Sequence, residues 1–167
     1  FVGLVILISR FKVAQNKKSL DVKAQKEIFD FYMKNLYAQR INNWDLIDST
    51  APYLGYYLIG KPGTSKLLNQ LAASESLWER RAAVMFTFAF IREFELDDTL
   101  RLCKKLLNDP HDLMHKACGW MLRELGKQDL GALREFLDAN VNKMPRTMLR
   151  YAIEKMSERE RKEWLKR

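Results

Sequence analysis

The sequence predicts an all-α protein, and within that class an α–α superhelix of HEAT or armadillo-like repeats. Three observations lead there. Apolar residues recur at helical spacing along the whole chain, with no convincing strand alternation. Only seven glycines and four prolines fall in 167 residues, so long stretches run without a breaker. The helices also repeat: Arg81-Ala82-Ala83 aligns with Lys116-Ala117-Cys118 at a spacing of 35, and Arg150-Tyr151-Ala152 follows Lys116 at 34. A period of that length with two helices per unit is the signature of an α-solenoid.

Composition is that of an ordinary globular chain, 47% hydrophobic and 30% charged, and 167 residues suffice for one domain with a real core. The net charge of +8 points to an anionic partner, of which nucleic acid is the commonest soluble kind. No apolar run is long enough to span a bilayer, and no signal peptide is marked. Cys103 and Cys118 form no CxxC pair and fit a reducing, intracellular (cytoplasmic) compartment as buried thiols. His111 and His115 have metal-ligand spacing, but no third ligand shares their face, so no metal site is expected.

Taken in order, helices are expected near 1–14, 20–38, 44–59, 64–74, 77–93, 96–108, 111–127, 130–141, 145–156 and 158–166. The first opens on the apolar run Phe1 to Ile8 without a cap and reads as a core helix entered partway, so that the single repeat domain lacks its N-terminal helices. The breaks fall at Asn-Lys-Lys-Ser (16–19), Gly60-Lys61-Pro62-Gly63, Asn108-Asp109-Pro110, Gly126-Lys127 and Met144-Pro145, each with the chemistry of a short helix connection. Pro52 should kink the third helix, for which Asn42 or Asn43 is a natural N-cap.

That third helix opens with Asn-Asn-Trp-Asp-Leu-Ile-Asp (42–48), two acids and an indole in a basic chain. Trp44 and Asp48 are four apart and share a face. They suit a site that holds a polyanion and stabilises a developing cation. Equally, Trp44 anchors a core while Asp45 and Asp48 complement the helix dipole. The period sharpens the question, because Asp48 lies 33 residues before Arg81. Where three successive repeats put a cation (Arg81, Lys116, Arg150), this one puts a carboxylate. One cation per repeat on the inner helix row can track a phosphate backbone along a concave face, whereas an acid there repels phosphate and needs another reason. Arg80 adjoins Arg81, and the period selects Arg81 for that face. Trp120, after Gly119 in an apolar helix, reads as core or as site; Arg123 reads as a groove cation, as the partner of Glu124 or as the cap of a helix end; Trp78 and Trp164 read as packing residues.

The segments NNWDLIDSTAPYLGYYL, LWERRAAVMF, HKACGWMLRELGK and PRTMLRYAIEKM, in that order from Asn42 to Met156, together resemble the DNA alkylation repair family of AlkD-like glycosylases. The resemblance implies a HEAT-like superhelix with duplex DNA in its concave groove. It implies hydrolysis of the N-glycosidic bond of cationic N3- or N7-alkylated purines, the first step of base excision repair, with the lesion kept in the duplex. By motif position the catalytic carboxylate falls on Asp48, the cleft tryptophans on Trp44 and Trp120, and the motif arginine on Arg81. Lys116, Arg123 and Arg150 match basic positions toward DNA. The chemistry is coherent in itself: a cationic purine is already a good leaving group, and a fixed carboxylate stabilises the oxocarbenium-like sugar and orients a water. It calls for no metal or organic cofactor, and no lysine is placed for a lyase step. The partner expected is double-stranded DNA containing alkylated purines, met by a monomer. The competing expectations are a non-catalytic DNA-binding solenoid for branched or damaged DNA and a HEAT scaffold for protein partners.

On this reading affinity for undamaged duplex falls steeply with salt, each neutralised phosphate contributing a slope of about −0.9 on log–log axes. Arg150→Ala is expected to lower both affinity and slope without changing lesion preference, in a titration across ionic strengths. A salt-independent affinity favours the protein scaffold.

Overall fold

The computed structural model describes residues 2–16 and 20–167, so Phe1 and most of the expected 16–19 break lie outside the described residues. Every regular element among them is helical, with neighbouring helices packed on one another as in a helical repeat solenoid. The chain divides into two compact units, the first ending at Ala89 and the second comprising Phe90–Arg167.

The first unit contains α1 (Val2–Ala14), α2 (Val22–Tyr37), α3 (Trp44–Asp48), α4 (Ala51–Leu54), a 3-10 turn (Gly55–Leu58), α5 (Thr64–Ala72) and most of α6 (Leu77–Arg92). α2 begins at Asp21, whose carboxylate accepts the Ala24 N–H at 2.9 Å, and buries Phe29, Tyr32, Met33 and Leu36 along one stripe. It ends in a left-handed residue, Gln39 (φ 54°), with the Arg40 N–H returning to the Asn35 carbonyl. α6 is apolar on all sides and buried from Arg81 to Ile91 except at Phe88. Phe86 of α6 packs against Phe29 (5.8 Å) and edge-on against Tyr32 (6.0 Å). Gly55 permits the close approach that holds α6 here: a Cβ at that position would lie 2.1 Å from the Phe86 carbonyl oxygen.

Two expectations are corrected in this unit. The apolar start of α1 is no core helix throughout: Ile8, Phe11 and Ala14 are buried, whereas Val5 and Ile6 are about half exposed. One stripe of α1 faces α2 and α4, and Val5 and Ile6 are only partly covered. The expected helix 44–59 is three pieces. Thr50, 1% exposed, turns its hydroxyl back to the Leu46 and Ile47 carbonyls and stops α3 after one turn. Pro52 then falls in the first turn of α4, where its missing N–H costs nothing, and bends no continuous helix. Asn43 does occupy the N-cap position of α3, but its side chain makes no cap bond.

The second unit contains α7 (Asp97–Lys105), α8 (Asp112–Gln128), α9 (Leu130–Asn140), a short 3-10 turn, α10 (Arg146–Ala152) and α11 (Glu158–Lys166). The expected helix 145–156 closes early, at Ala152, and the expected 96–108 closes at Lys105. α8 is the central element, packed on α7, α9 and α10. Met114, Ala117, Cys118, Met121, Leu122 and Leu125 are buried along it. Cys103 and Cys118 are both buried free thiols, the Cys103 Sγ 3.7 Å from the Cys118 carbonyl oxygen. Trp164 is buried in α11 and Trp78 is half-buried in α6.

Gly119 sets the α8–α10 distance, since a Cβ there would lie 2.5 Å from the Tyr151 Cβ and 2.6 Å from the Met148 carbonyl oxygen. One of those neighbours is backbone and cannot swing aside. Gly119→Ala is therefore expected to destabilise the protein by about 2–3 kcal/mol, at the upper end of overpacking penalties, in chemical denaturation. Retention of full stability means that the two helices separate at little cost.

Candidate active site

A buried cation must meet a counter-charge or pay a desolvation penalty of several kcal/mol. Arg81 stands at the N-terminal end of the apolar wall of α6 and is 4% exposed. Its Nε donates to Asp48 Oδ1 at 2.9 Å and its Nη2 to Asp48 Oδ2 at 2.7 Å. This two-pronged geometry fixes both the position and the plane of the carboxylate. Arg81 is thus no exposed rung of a ladder. The 33-residue spacing marks a pair in contact rather than one face carrying opposite charges in turn.

Asp48 closes α3, a helix of five residues that has little stability alone. Its side chain keeps 15% exposure, so the Arg81 fork does not close it off from solvent entirely. Two residues after it, Thr50 shares a 3.1 Å hydrogen bond with the hydroxyl of Tyr32, which is completely buried in α2. Burial, and secondarily the Asp48 charge, raises the Tyr32 pKa, so the phenol beneath the site stays neutral. Trp44, at the other end of α3, is 52% exposed. That excludes the core-anchor alternative and leaves a large indole available beside the carboxylate's helix face. Asp45 sits in the first turn, where it complements the helix dipole. Arg80, the neighbour of Arg81, is used differently: its Nη1 caps the preceding loop through the Ser74 and Glu75 carbonyls.

Lys116, Trp120, Arg123 and Arg150 belong to the second unit, three of them on α8 and Arg150 on α10. Trp120 is half-buried, and its indole N–H donates to Glu124 Oε1 at 3.2 Å. Arg123 ion-pairs with Glu154 through one end of its guanidinium, while its Nε lies 3.6 Å from Glu124 without a hydrogen bond. Lys116 bonds Asp112 at 2.8 Å, and this pairing lowers the Asp112 pKa, helped by Thr147. Arg150 is exposed. His115 places a ring nitrogen 2.6 Å from the Asp109 carbonyl oxygen, and among the described residues no His, Cys, Asp and Glu side chains gather as a metal site. Nor is any described helix long and apolar enough to cross a membrane.

Sequence reasoning missed Tyr32 and Thr50, which carry no motif, and weighed Glu124 only against Arg123. The last was readable, since Trp120 and Glu124 are four apart on one helix.

The fold and the site define a basic, all-α chain of helical-repeat type in which a carboxylate is clamped by a buried arginine beside an exposed tryptophan. Comparison with protein families matches the DNA alkylation repair enzyme family over residues 5–156. The chain belongs to that family, and a DNA repair role follows. The match begins well before Asn42, where the motif resemblance starts. Among curated proteins no relative matches.

The fork generates a stability prediction. Asp48→Ala removes the carboxylate from a buried guanidinium and is expected to cost about 3–5 kcal/mol, the usual result of breaking a buried pair from one side. Arg81→Met leaves an acid that still reaches water and should cost less. The double variant should recover part of the Asp48→Ala loss in urea denaturation. Strictly additive losses contradict a coupled pair.

Proposed function

We propose that this protein is a monofunctional DNA glycosylase that hydrolyses the N-glycosidic bond of cationic N3- or N7-alkylated purines in duplex DNA. The observation that carries the reading is the Asp48–Arg81 fork: a carboxylate with a fixed plane on a side chain that keeps some exposure, beside an exposed tryptophan, in a protein of the DNA alkylation repair family. Family membership supports the DNA repair part, and the acid's environment supports the chemistry.

In the proposed reaction the alkylated purine leaves as a neutral base, taking the bonding electrons of the glycosidic bond, and positive charge appears on the sugar. Asp48 stabilises that charge. Each Asp48 oxygen gives one lone pair to Arg81 and retains another, enough to orient an attacking water and accept its proton. Because the carboxylate is already fixed, it need not reorganise as the charge develops. Trp44 offers its face to the cationic nucleotide, a contact worth about 0.5–2 kcal/mol. Trp120 carries the second motif tryptophan. Arg81 acts here by positioning Asp48. Lys116, Arg123 and Arg150 are assigned to phosphates, Arg150 with the least competition from acidic neighbours.

Asp48→Asn keeps the size of the side chain but removes its charge and one of the two acceptors that Arg81 uses. Single-turnover release of 7-methylguanine is expected to fall by about 10²–10³, the usual effect of losing one transition-state electrostatic partner. Equilibrium binding to the same duplex should be equal or tighter, because the positive charge of Arg81 is no longer balanced. Full release by the variant removes Asp48 from the role. A wild type that binds DNA and releases no base instead supports the non-catalytic DNA-binding solenoid.

A further inference from the structure

The acidic side chain with the most unusual set of partners outside the Asp48 site is Glu124, one helical turn beyond Trp120 on α8. Its carboxylate accepts the Trp120 indole N–H at 3.2 Å and is clasped by Lys127 Nζ, 2.7 Å from each oxygen. Arg123 Nε lies 3.6 Å from the same oxygen that receives the indole, while the other end of that guanidinium is held by Glu154. Glu124 is sheltered, with a side chain only 16% exposed, whereas Lys127 is 45% exposed. A surface i,i+4 contact between two mobile side chains would carry little meaning. This one is different because tryptophan has a single polar atom, a donor, and that donor is spent on an ion.

Two consequences follow from elementary chemistry. The bond turns the nitrogen-bearing edge of the ring toward Glu124 and so selects one indole orientation. It also polarises the ring: an N–H donating to a carboxylate pushes electron density into the π system, which makes the ring face more negative. A more negative face attracts a cation more strongly. Lys127 works in the opposite direction by drawing on the same carboxylate oxygens.

We propose that Glu124 is a specificity-determining positioning residue, which fixes the Trp120 indole and enriches its face so that the protein distinguishes a positively charged base from a neutral one. This inference rests on the glycosylase reading and deepens it, since it names the residue through which the charge of the base is sensed at Trp120. Glu124 touches no substrate and acts only through the indole.

The test is equilibrium binding, at one ionic strength, of duplexes carrying either 7-methylguanine or its uncharged isostere 7-methyl-7-deazaguanine. Asp48→Asn is the parent protein, so that the base is retained during the measurement. The readout is the ratio of the two affinities, which cancels general effects of charge on DNA binding. Glu124→Gln keeps an acceptor for the indole and removes its charge; it is expected to lower the ratio roughly threefold, a part of one cation–π contact. Lys127→Met frees the carboxylate and should raise the ratio, a direction that loss of structure would not produce. In a Trp120→Phe background, where no N–H remains, neither change should have an effect. Thermal melting of each variant accompanies the binding. An unchanged ratio in Glu124→Gln, or the same shift persisting without the indole, overturns the proposal while the glycosylase reading stands. A parent without preference for the charged base, together with a wild type that releases no 7-methylguanine, sinks both.

Discussion

The Asp48–Arg81 ion pair is the constraint on which the organisation of the first unit turns. α6 is buried nearly all round, so an arginine at its start must find a counter-charge within reach or leave the wall. Gly55 lets the α6 backbone approach the 3-10 turn at Phe86, and Arg81 lies five residues, about 7.5 Å, back along the same helix. That places the guanidinium where α3 ends. A five-residue helix cannot hold a carboxylate steady by itself. The orientation of Asp48 is therefore imposed from outside α3, by the fork on one side and by the buried Tyr32–Thr50 hydrogen bond just beyond it.

Most helices were legible because their stripes and connections follow simple rules. The Gly60–Gly63 break, for example, contains two glycines with positive φ, as a sharp connection requires. The third helix was not legible, because the decisive event is one hydroxyl: Thr50 bonds back to Leu46 and Ile47, and nothing in its residue type says that it will choose the carbonyls over solvent. The left-handed residues ending α2 and α6 are Gln39 and Phe94, not the glycines by which such ends are recognised. At the site, the period found the spacing of Asp48 and Arg81 but not its meaning. Equivalent positions in adjacent repeats are also neighbours in space, so opposite charges at the repeat distance are as readily a bonded pair as an alternating face. The exposure of Trp44, which decides between anchor and site, depends on what covers a helix face and is invisible to helical periodicity.

The basic composition also means less than its sum. Lys116, Arg123, Lys127, Arg134 and Arg167 in the second unit all hold carboxylates, and Arg81 does so in the first. Part of the lysine and arginine complement is thus engaged in securing side chains, although such pairing leaves the net charge of +8 unchanged. Exposed pairs of this kind add little stability singly, but they fix positions. The Glu124 cluster is the clearest case, because what it fixes is an aromatic donor rather than another charge.

The pairing also resolves the difficulty that an acid beside DNA first presents. A lone carboxylate repels phosphates over a Debye length, about 8 Å at physiological salt. With Arg81 bonded to it, Asp48 forms a unit of no net charge, whose field at phosphate distances is that of a dipole and dies away faster than a charge. Close to the part of the Asp48 side chain that keeps some exposure the cancellation fails, since its oxygens are nearer than the buried guanidinium. On the proposed reading, that is where the positive sugar forms. On that reading, one interaction lets the protein bind a polyanion while presenting negative charge to a cation that exists only as the bond breaks. The same logic explains why Arg81 is buried: an exposed arginine would be free to leave Asp48 for a phosphate, and the acid would lose both its orientation and its screen.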